Sequence, residues 1–272
     1  MSKIWFITGA SRGFGRSWTE AALRRGDKVA ATARDIDTLN DLADKFGDAI
    51  LPIALDVTDQ AAAIAAVRQA HAHFGRLDVV VNNAGYGHFG FLEEITETDA
   101  RAQIETNVFG ALWVTQAAIS LMRGQGSGHI VQISSIGGVA AFPGLGIYHA
   151  SKWALEGFSE ALSHEVAPFG IKVTLIEPGG YATDWGGSSA IRSEPNPAYQ
   201  PMRDARAQQR QSYQAPGPEA TTTAVFAVVD AENPPLRLLL SGGAYDIAQG
   251  VYKQRLQTWS EWEATSRSAD RA

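Results

Sequence analysis

Tyr148 and Lys152 lie four residues apart at the start of a helical pattern, and this spacing places both on one face of a helix. A free tyrosine titrates near pKa ~10, and a neighbouring ammonium favours the phenolate. Lys152 would therefore allow Tyr148 to exchange a proton at neutral pH. Ser135 follows an apolar run and could hydrogen-bond a carbonyl or alkoxide oxygen. Because a Tyr-x-x-x-Lys pair alone is common on helix surfaces, the assignment depends on the residues around it.

A glycine-rich turn near the amino terminus follows an apolar run and opens a helical pattern. Its spacing is G-x3-G-x-G, which differs from the G-x-G-x-x-G dinucleotide fingerprint. Such glycines permit a tight turn and close approach to a pyrophosphate, and the helix start offers free N–H groups. We expect cofactor contacts from Gly9, Ser11, Arg12, Gly13, Phe14 and Gly15.

The end of the second apolar run predicts the choice of nucleotide. An acidic residue there would bind a ribose 2′-hydroxyl, but Ala33 occupies the position and Arg34 follows. Arg34 and Arg12 could hold a 2′-phosphate through charge-assisted hydrogen bonds. The sequence therefore favours NADP(H) over NAD(H), although Asp35 is adjacent and both arginines could instead be solvated surface residues.

Short, continuously apolar runs alternate with helical patterns along the chain. Continuous rather than alternating hydrophobicity is typical of parallel strands buried on both faces. We predict a Rossmann-type, doubly wound α/β fold with a parallel sheet of about seven strands and helices on both faces. The predicted strands lie near Lys3–Thr8, Lys28–Ala33, Ile50–Leu55, Leu77–Asn82, His129–Ser134, Ile171–Glu177 and Leu236–Ser241.

Residues 1–272 are expected to form a single domain, within which two segments stand apart. Residues 186–218 are rich in Ser, Gln, Arg and Pro, which indicates either a functional lid or partial disorder. Residues 243–272 form a helical C-terminal extension in which Trp259 and Trp262 are expected to pack in the tail or to contact another subunit.

Composition narrows the function classes. The net charge is -6 without a basic block, so no nucleic-acid partner is expected. The chain has no cysteine, which excludes disulfides, thiolate metal sites and a cysteine nucleophile. No apolar run reaches the length of a signal peptide core or a membrane helix, so we expect a cytoplasmic protein without a membrane partner.

Several ordered motifs together resemble the short-chain dehydrogenase/reductase family from Thr8 to about Ser241. Thr8-Gly9-x-x-x-Gly13-x-Gly15 resembles its cofactor loop, and Ser135, Tyr148 and Lys152 resemble its catalytic residues. Further matches are Asp56-Val57, Asn82-Asn83-Ala84-Gly85, Asn107, and Pro178-Gly179 with Thr183 downstream.

The resemblance implies a sheet in the order 3-2-1-4-5-6-7 and catalysis by Asn107, Ser135, Tyr148 and Lys152. It implies a proton relay from Asn107 through water and Lys152 to Tyr148, and it prefers Ser135 to the neighbouring Ser134. Lys152 would also bond the nicotinamide ribose. Asp56, Val57, Asn83, Ala84, Gly85, Pro178, Gly179 and Thr183 would line the cofactor site. The expected activity is reversible reduction of a ketone or aldehyde, with a small carbonyl or alcohol substrate, no metal and a homo-oligomer (dimer or tetramer).

Two other functions stay open at this stage. One is a non-catalytic NADP(H)-binding regulator on the same fold, although such proteins tend to lose the tyrosine or the lysine. The other is a different Rossmann enzyme, such as a methyltransferase, which would favour an acid where Ala33 stands. Apolar residues expected to flank the site suit a bulky substrate: Phe89, Val139, Phe142, Tyr181 and Trp185. His88 and His149 are interpreted as polar residues of the pocket or of the surface.

Overall fold

A computed structural model of the protein describes residues 2–210 and 214–270, and its centre is a parallel sheet in the order β3-β2-β1-β4-β6-β7-β9. The seven strands are β1 (Ile4–Ile7), β2 (Lys28–Ala33), β3 (Ile50–Ala54), β4 (Val79–Asn82), β6 (Gly128–Ile133), β7 (Ile171–Pro178) and β9 (Arg237–Leu240). All seven predicted strands are confirmed, as is the predicted fold class. The order 3-2-1-4-5-6-7 is also confirmed, because the other two strands lie outside this sheet.

Those two strands, β5 (His88–Phe89) and β8 (Ile191–Arg192), pair in parallel as a separate small sheet. The sequence did not predict them, because two residues are too few to show a hydrophobic period. Their pairing attaches the segment after residue 186 to the loop that follows β4.

Helices cover both faces of the main sheet. They are α1 (Gly13–Arg24), α2 (Asn40–Phe46), α3 (Gln60–Phe74), α4 (Glu97–Ile104), α5 (Gly110–Gln125), α6 (Gly146–Val166), α7 (Gln200–Arg210), α8 (Thr222–Asp230), α9 (Gly242–Glu261) and α10 (Glu263–Ser268). A short π-helical segment, Glu105–Phe109, joins α4 to α5. Thr96 caps α4 by accepting a hydrogen bond from the Asp99 backbone N–H.

The core consists of two layers, one on each face of the sheet. In β1, Phe6 belongs to the layer beneath α3, α5 and α6, whereas Trp5 and Ile7 belong to the layer beneath α1, α2 and α8. Each side chain of this kind contributes roughly 1.5–3 kcal/mol when fully buried. Burial on both faces explains why the strands are continuously apolar, and it fixes the carboxyl ends of the strands along one edge.

The C-terminal extension is helical as expected, but its tryptophans do not pack against this chain. Trp259 and Trp262 are 62% and 61% exposed. In α9 only Ala244 and Ala248 are buried, although farther along the helix Arg255 packs over the Trp153 ring of α6, 4.9 Å from its centre. The expected packing within the tail is therefore wrong, and the subunit contact stays a prediction. Within residues 2–210 and 214–270, no helix combines the length and hydrophobicity that crossing a membrane requires.

Candidate active site

The glycine-rich turn between β1 and α1 forms the floor of a cavity of about 920 Å³. Gly9 and Gly13 adopt φ values of 65° and 57°, which residues with a β-carbon rarely adopt. A β-carbon at Gly15 would collide with the Gly9 carbonyl and the Asn83 amide. Helix α1 begins at Gly13 without an acidic residue in its first turn, so its N–H groups are available to an anion. This cradle fits a pyrophosphate.

The residues expected to select the nucleotide lie around the same cavity. Ala33, Arg34 and Arg12 line it, as do Asp56 and Val57. Ala33 is buried and brings no carboxylate to the end of β2.

Nearby, the carboxylate of Asp35 accepts a hydrogen bond from the Asp37 N–H and caps the following turn. Arg12 Nη1 lies 3.3 Å from Ser188 Oγ and 3.8 Å from Asp184 Oδ2. Arg12 therefore connects the glycine turn to the segment that follows β7.

Thr8 fixes the loop after β4 against this turn. Its Oγ1 accepts hydrogen bonds of 2.9 Å from the backbone N–H groups of Asn83 and Ala84. The Asn83 amide donates to the carbonyl oxygens of Thr8 and Gly9 at 2.9 and 3.0 Å. Asn83, Ala84 and Gly85 consequently line the cavity, and Pro178, Gly179 and Thr183 line it from the end of β7. Ser11 and Phe14 are also at its wall.

Ser135, Tyr148 and Lys152 meet where β6 ends. The Ser135 Oγ accepts a hydrogen bond from the Gly137 N–H at 3.0 Å, so its own hydrogen can be donated to the Tyr148 oxygen. Lys152 Nζ donates to the Ile133 carbonyl at 2.7 Å and lies 5.9 Å from the centre of the Tyr148 ring. The neighbouring Ser134 is buried and its Oγ has no partner among the described residues, whereas Ser135 is in contact with Tyr148.

Burial dominates the titration of both residues. It raises the pKa of Tyr148 to about 12, opposed by the hydrogen bond from Ser135. It lowers the pKa of Lys152 to about 8, opposed by the negative charge of Glu156. Burial outweighs the hydrogen bond from Ser135, so Tyr148 keeps its proton at neutral pH. The expected lowering of the tyrosine pKa by Lys152 stays a prediction.

Asn107 is held in the π-helical segment by three hydrogen bonds. Its Nδ2 donates to the Tyr86 carbonyl and to Ser151 Oγ, each at 3.0 Å, and its Oδ1 accepts from the Tyr86 N–H at 3.1 Å. Ser151 precedes Lys152 in α6, so these contacts bring Asn107 up to the catalytic helix. The extra residue of the π-turn displaces the helix locally, as is frequent at functional sites.

Sequence reasoning missed the polar residues that support Asn107. Gln103 donates to the Tyr86 carbonyl at 3.0 Å and accepts from the His88 N–H at 2.9 Å. Ser151, a short polar residue inside a helix, was the one feature of the sequence that could have indicated this network. Gln103 and Tyr86 carry no comparable sequence signal. His149 binds the Gly137 carbonyl and the Phe142 N–H through its two ring nitrogens, so it fixes a loop rather than reaching the cavity.

Trp185 lies against the ring of Tyr148. Its ring centre is 4.9 Å from that of Tyr148 and 5.0 Å from that of Phe89. A β-carbon at Gly87 would come within 2.5 Å of the indole, so only glycine leaves room for it there. Tyr181 and Trp185 line the cavity, whereas Phe89, Val139 and Phe142 are outside its lining and pack around it.

The segment of residues 186–218 is structured over its described part, 186–210 and 214–218. Tyr199 stacks on Phe91 at 4.2 Å and donates to Glu93, and Arg203 pairs with the buried Glu94. The Arg206 guanidinium donates to the Pro143 carbonyl at 2.6 Å. Residues 211–213, which fall within this segment, lie outside the described residues. Gly186, Ser188, Ser189, Ile191 and Ala215 contribute to the cavity wall.

Known proteins resemble this chain in both sequence and structure. Residues 3–192 match the family model described as short chain dehydrogenase. The chain is 45% identical over 252 residues to Oxidoreductase BOA17 of Botryotinia fuckeliana (strain B05.10), covering 91% of this chain and 92% of that protein. It superimposes on a short-chain dehydrogenase from Streptomyces avermitilis with a TM-score of 0.92 and 42% identity, covering 99% of both chains.

Two more distant structures contain a nicotinamide cofactor. A short-chain dehydrogenase/reductase from Burkholderia phymatum in complex with NAD has a TM-score of 0.79 and 26% identity, covering 91% of this chain and 92% of that one. A short chain dehydrogenase from Burkholderia cenocepacia J2315 in complex with NADP has a TM-score of 0.77 and 25% identity, covering 96% and 97%. Both cofactors therefore occur among similar structures.

Proposed function

The chain belongs to the short-chain dehydrogenase/reductase family, and we propose that within it the protein is an NADP(H)-dependent reductase of ketones or aldehydes, or the reverse. As a member it is an oxidoreductase acting on CH–OH or C=O groups with NAD(P). The observation that carries the proposal is the meeting of Ser135, Tyr148 and Lys152 beside the glycine turn. On that geometry we assign catalytic roles to these three residues and to Asn107.

The proposed chemistry couples two transfers on one carbonyl group. NADPH, when bound, supplies the hydride for the carbonyl carbon. Tyr148 donates its phenolic proton to the carbonyl oxygen, while Ser135 holds that oxygen by a hydrogen bond. The phenolate that remains on Tyr148 is stabilised by the ammonium of Lys152. Asn107 is hydrogen-bonded to Tyr86 and to Ser151, and it thereby connects Tyr86 to α6, the helix that contains Lys152.

The preference for NADP(H) rests on charge. Arg12 and Arg34 line the cavity, and no carboxylate is present at Ala33. Guanidinium groups bind a 2′-phosphate through charge-assisted hydrogen bonds. The residues that we assign to the remainder of the cofactor are Gly9, Ser11, Gly13, Phe14, Gly15, Asp56, Val57, Asn83, Ala84, Gly85, Tyr148, Lys152, Pro178, Gly179 and Thr183.

The substrate side is apolar and aromatic near the reacting group. Trp185 lies against Tyr148, and Tyr181 and Ile191 line the same cavity. Such walls suit a bulky ketone or alcohol better than a small polar one. We further propose a single domain over 1–272, a substrate lid at 186–218, a C-terminal extension at 243–272, a homo-oligomer and a cytoplasmic location.

Turnover with a panel of ketones and aldehydes tests this function directly. We expect the purified protein to oxidise NADPH with aromatic or bulky members of the panel. Tyr148→Phe removes the transferred proton, so kcat is expected to fall at least about 100-fold. Titration calorimetry is expected to show that NADPH still binds this variant.

Tyr252→Phe is the matched control, because it makes the same chemical change on the exposed tail helix. Binding of NADPH without turnover of any panel member would contradict the reductase and support a regulator. Tight binding of S-adenosylmethionine in preference to NADPH would contradict both.

A further inference from the structure

Two buried carboxyl groups lie behind the catalytic helix, and the proposed reaction uses neither. Glu156 is in α6, one turn after Lys152, and Glu177 is near the end of β7. They are 6% and 2% exposed. Arg237 forms an ion pair with both, since its Nε lies 2.8 Å from Glu156 Oε2 and 3.7 Å from Glu177 Oε1. Arg237 also binds the exposed Glu160 through Nη2 at 2.7 Å.

The charges in this cluster do not balance if both buried groups are ionised. Glu156, Glu160 and Glu177 would bring three negative charges to one guanidinium. Two carboxylates that share a buried site cannot both ionise at modest cost, so the pair retains one proton. Burial and the neighbouring charge of Glu156 raise the pKa of Glu177 to about 8. Glu177 is therefore the protonated member, and Glu156, which has the shorter contact with Arg237, is the charged one.

The charged member lies against the turn that follows Ser135. A β-carbon placed at Gly138 would lie 2.5 Å from Ser134 Oγ and 3.2 Å from Glu156 Oε1, so both atoms approach the turn that follows Ser135. Neither atom has a hydrogen-bond partner among the described residues. Glu156 follows Lys152 by one turn of α6, and its negative charge raises the pKa of that lysine.

We propose, building on the function above, that Glu156 is a positioning residue whose buried negative charge keeps Lys152 an ammonium, with Glu177 as the protonated partner that limits the cluster to one charge. Among the described residues, charged or titratable groups around this part of the lysine helix are Tyr148, His149, Glu156 and Glu160 on α6, Glu177 on β7, Arg237 on β9 and Arg255 on α9. Of these, Glu156 and Glu160 are the ionised carboxylates, and Glu160 is exposed with its charge directed to Arg237. The ammonium form of Lys152 is therefore expected to depend on the charge of Glu156.

The titration of Lys152 itself provides the test. The chain contains six lysines, so labelling lysine with ¹³C at Cε gives few signals, and Lys152→Met identifies the relevant one. We expect Glu156→Gln to move the titration midpoint of Lys152 down by about one pH unit or more, since it removes the opposite charge. The alkaline limb of kcat/KM is expected to move in the same direction and by a similar amount.

Three variants separate charge from structure. Glu156→Asp keeps the negative charge, so its Lys152 titration midpoint is expected to lie close to that of the natural protein. Glu160→Gln removes another ligand of Arg237 and is expected to leave both the Lys152 midpoint and the activity unchanged. Glu177→Gln replaces a protonated carboxyl by an amide and is expected to leave the midpoint unchanged.

The proposal is overturned if folded Glu156→Gln titrates like the natural protein, or if Glu177→Gln shifts the midpoint downward. The second outcome stays decisive if the Glu156 variant fails to fold. The NMR titration needs no substrate, so an inactive protein with the expected shifts would contradict the proposed function and leave the role of Glu156 supported.

Discussion

At the residue scale, the site depends on side chains that are expensive to bury. Tyr148 and Lys152 are both nearly inaccessible, and burial moves the pKa of the tyrosine up and that of the lysine down. These shifts bring the two pKa values further apart than in water, so the phenol keeps its proton while the lysine is close to losing its charge. A buried negative charge one turn away then becomes important for the lysine.

The choice of nucleotide is also decided by single residues. Ala33→Asp brings a carboxylate to the end of β2, where it would repel a 2′-phosphate, and Arg34→Ala removes a guanidinium from the cavity wall. We expect either change to weaken NADPH binding by roughly 1.5–3 kcal/mol, about 10- to 100-fold in Kd, with much less effect on NADH. Fluorescence titration with both cofactors measures this.

Arg16→Ala serves as the comparison variant. Arg16 is in the same helix as the glycine turn, but it binds Asp41 and the Thr38 carbonyl and does not line the cavity. Equal losses for NADPH and NADH in the Ala33 or Arg34 variants would refute the assignment of the 2′-phosphate site.

At the element scale, the pairing of β6 with β7 contains a buried histidine that makes it sensitive to acid. Thr174 donates its hydroxyl hydrogen to the Pro235 carbonyl, so His129 Nε2 must be the donor in its 2.9 Å contact with Thr174. The other ring nitrogen, Nδ1, is buried with no partner among the described residues. Burial, with the charges of Lys172 and Lys3, lowers the pKa of His129 to about 4. Protonation would therefore place an uncompensated charge between the strands.

The sign of the pH effect follows from the two protonation states. Between the unfolded pKa of ~6.5 and the folded value of about 4, the unfolded chain binds the extra proton and the native one does not. Stability from this group is complete above pH ~6.5 and is lost as pH falls toward 4, by at most about 3 kcal/mol. We expect His129→Gln to flatten the dependence in this window, measured by urea unfolding at several pH values.

His164→Gln changes an exposed histidine at the end of α6 and is expected to keep the slope of the natural protein. Other acidic groups titrate alike in all three proteins, so the difference between slopes isolates His129. Identical slopes for the natural protein and His129→Gln would contradict this account.

At the scale of the whole molecule, the sequence predicted what a periodic pattern or a run of motif residues can express. All seven main strands and the glycine turn were predicted, because continuous hydrophobicity and turn chemistry are local signals. The sheet order has no local signal, and it was expected only from the family resemblance. The strands β5 and β8 were missed because pairs of residues have no period. The Glu156–Glu177 cluster joins α6 to β7, and no local pattern relates two glutamates that are 21 positions apart. The exposure of Trp259 was missed because aromatic residues predict burial without indicating which chain provides it.

The contact of Arg12 with Asp184 and Ser188 has a kinetic consequence. The short segment around Trp185 contacts Arg12 of the glycine turn through Asp184 and Ser188, and it contacts the Tyr148 ring through Trp185. It therefore borders the regions assigned to both ligands. A nucleotide arriving second would have to enter beneath a segment already held by substrate. We therefore expect compulsory-order kinetics in which the nucleotide enters first and leaves last. In that case NADP⁺ competes with NADPH in product-inhibition assays and the alcohol product does not, whereas competition between the alcohol and NADPH would indicate that either ligand can enter first.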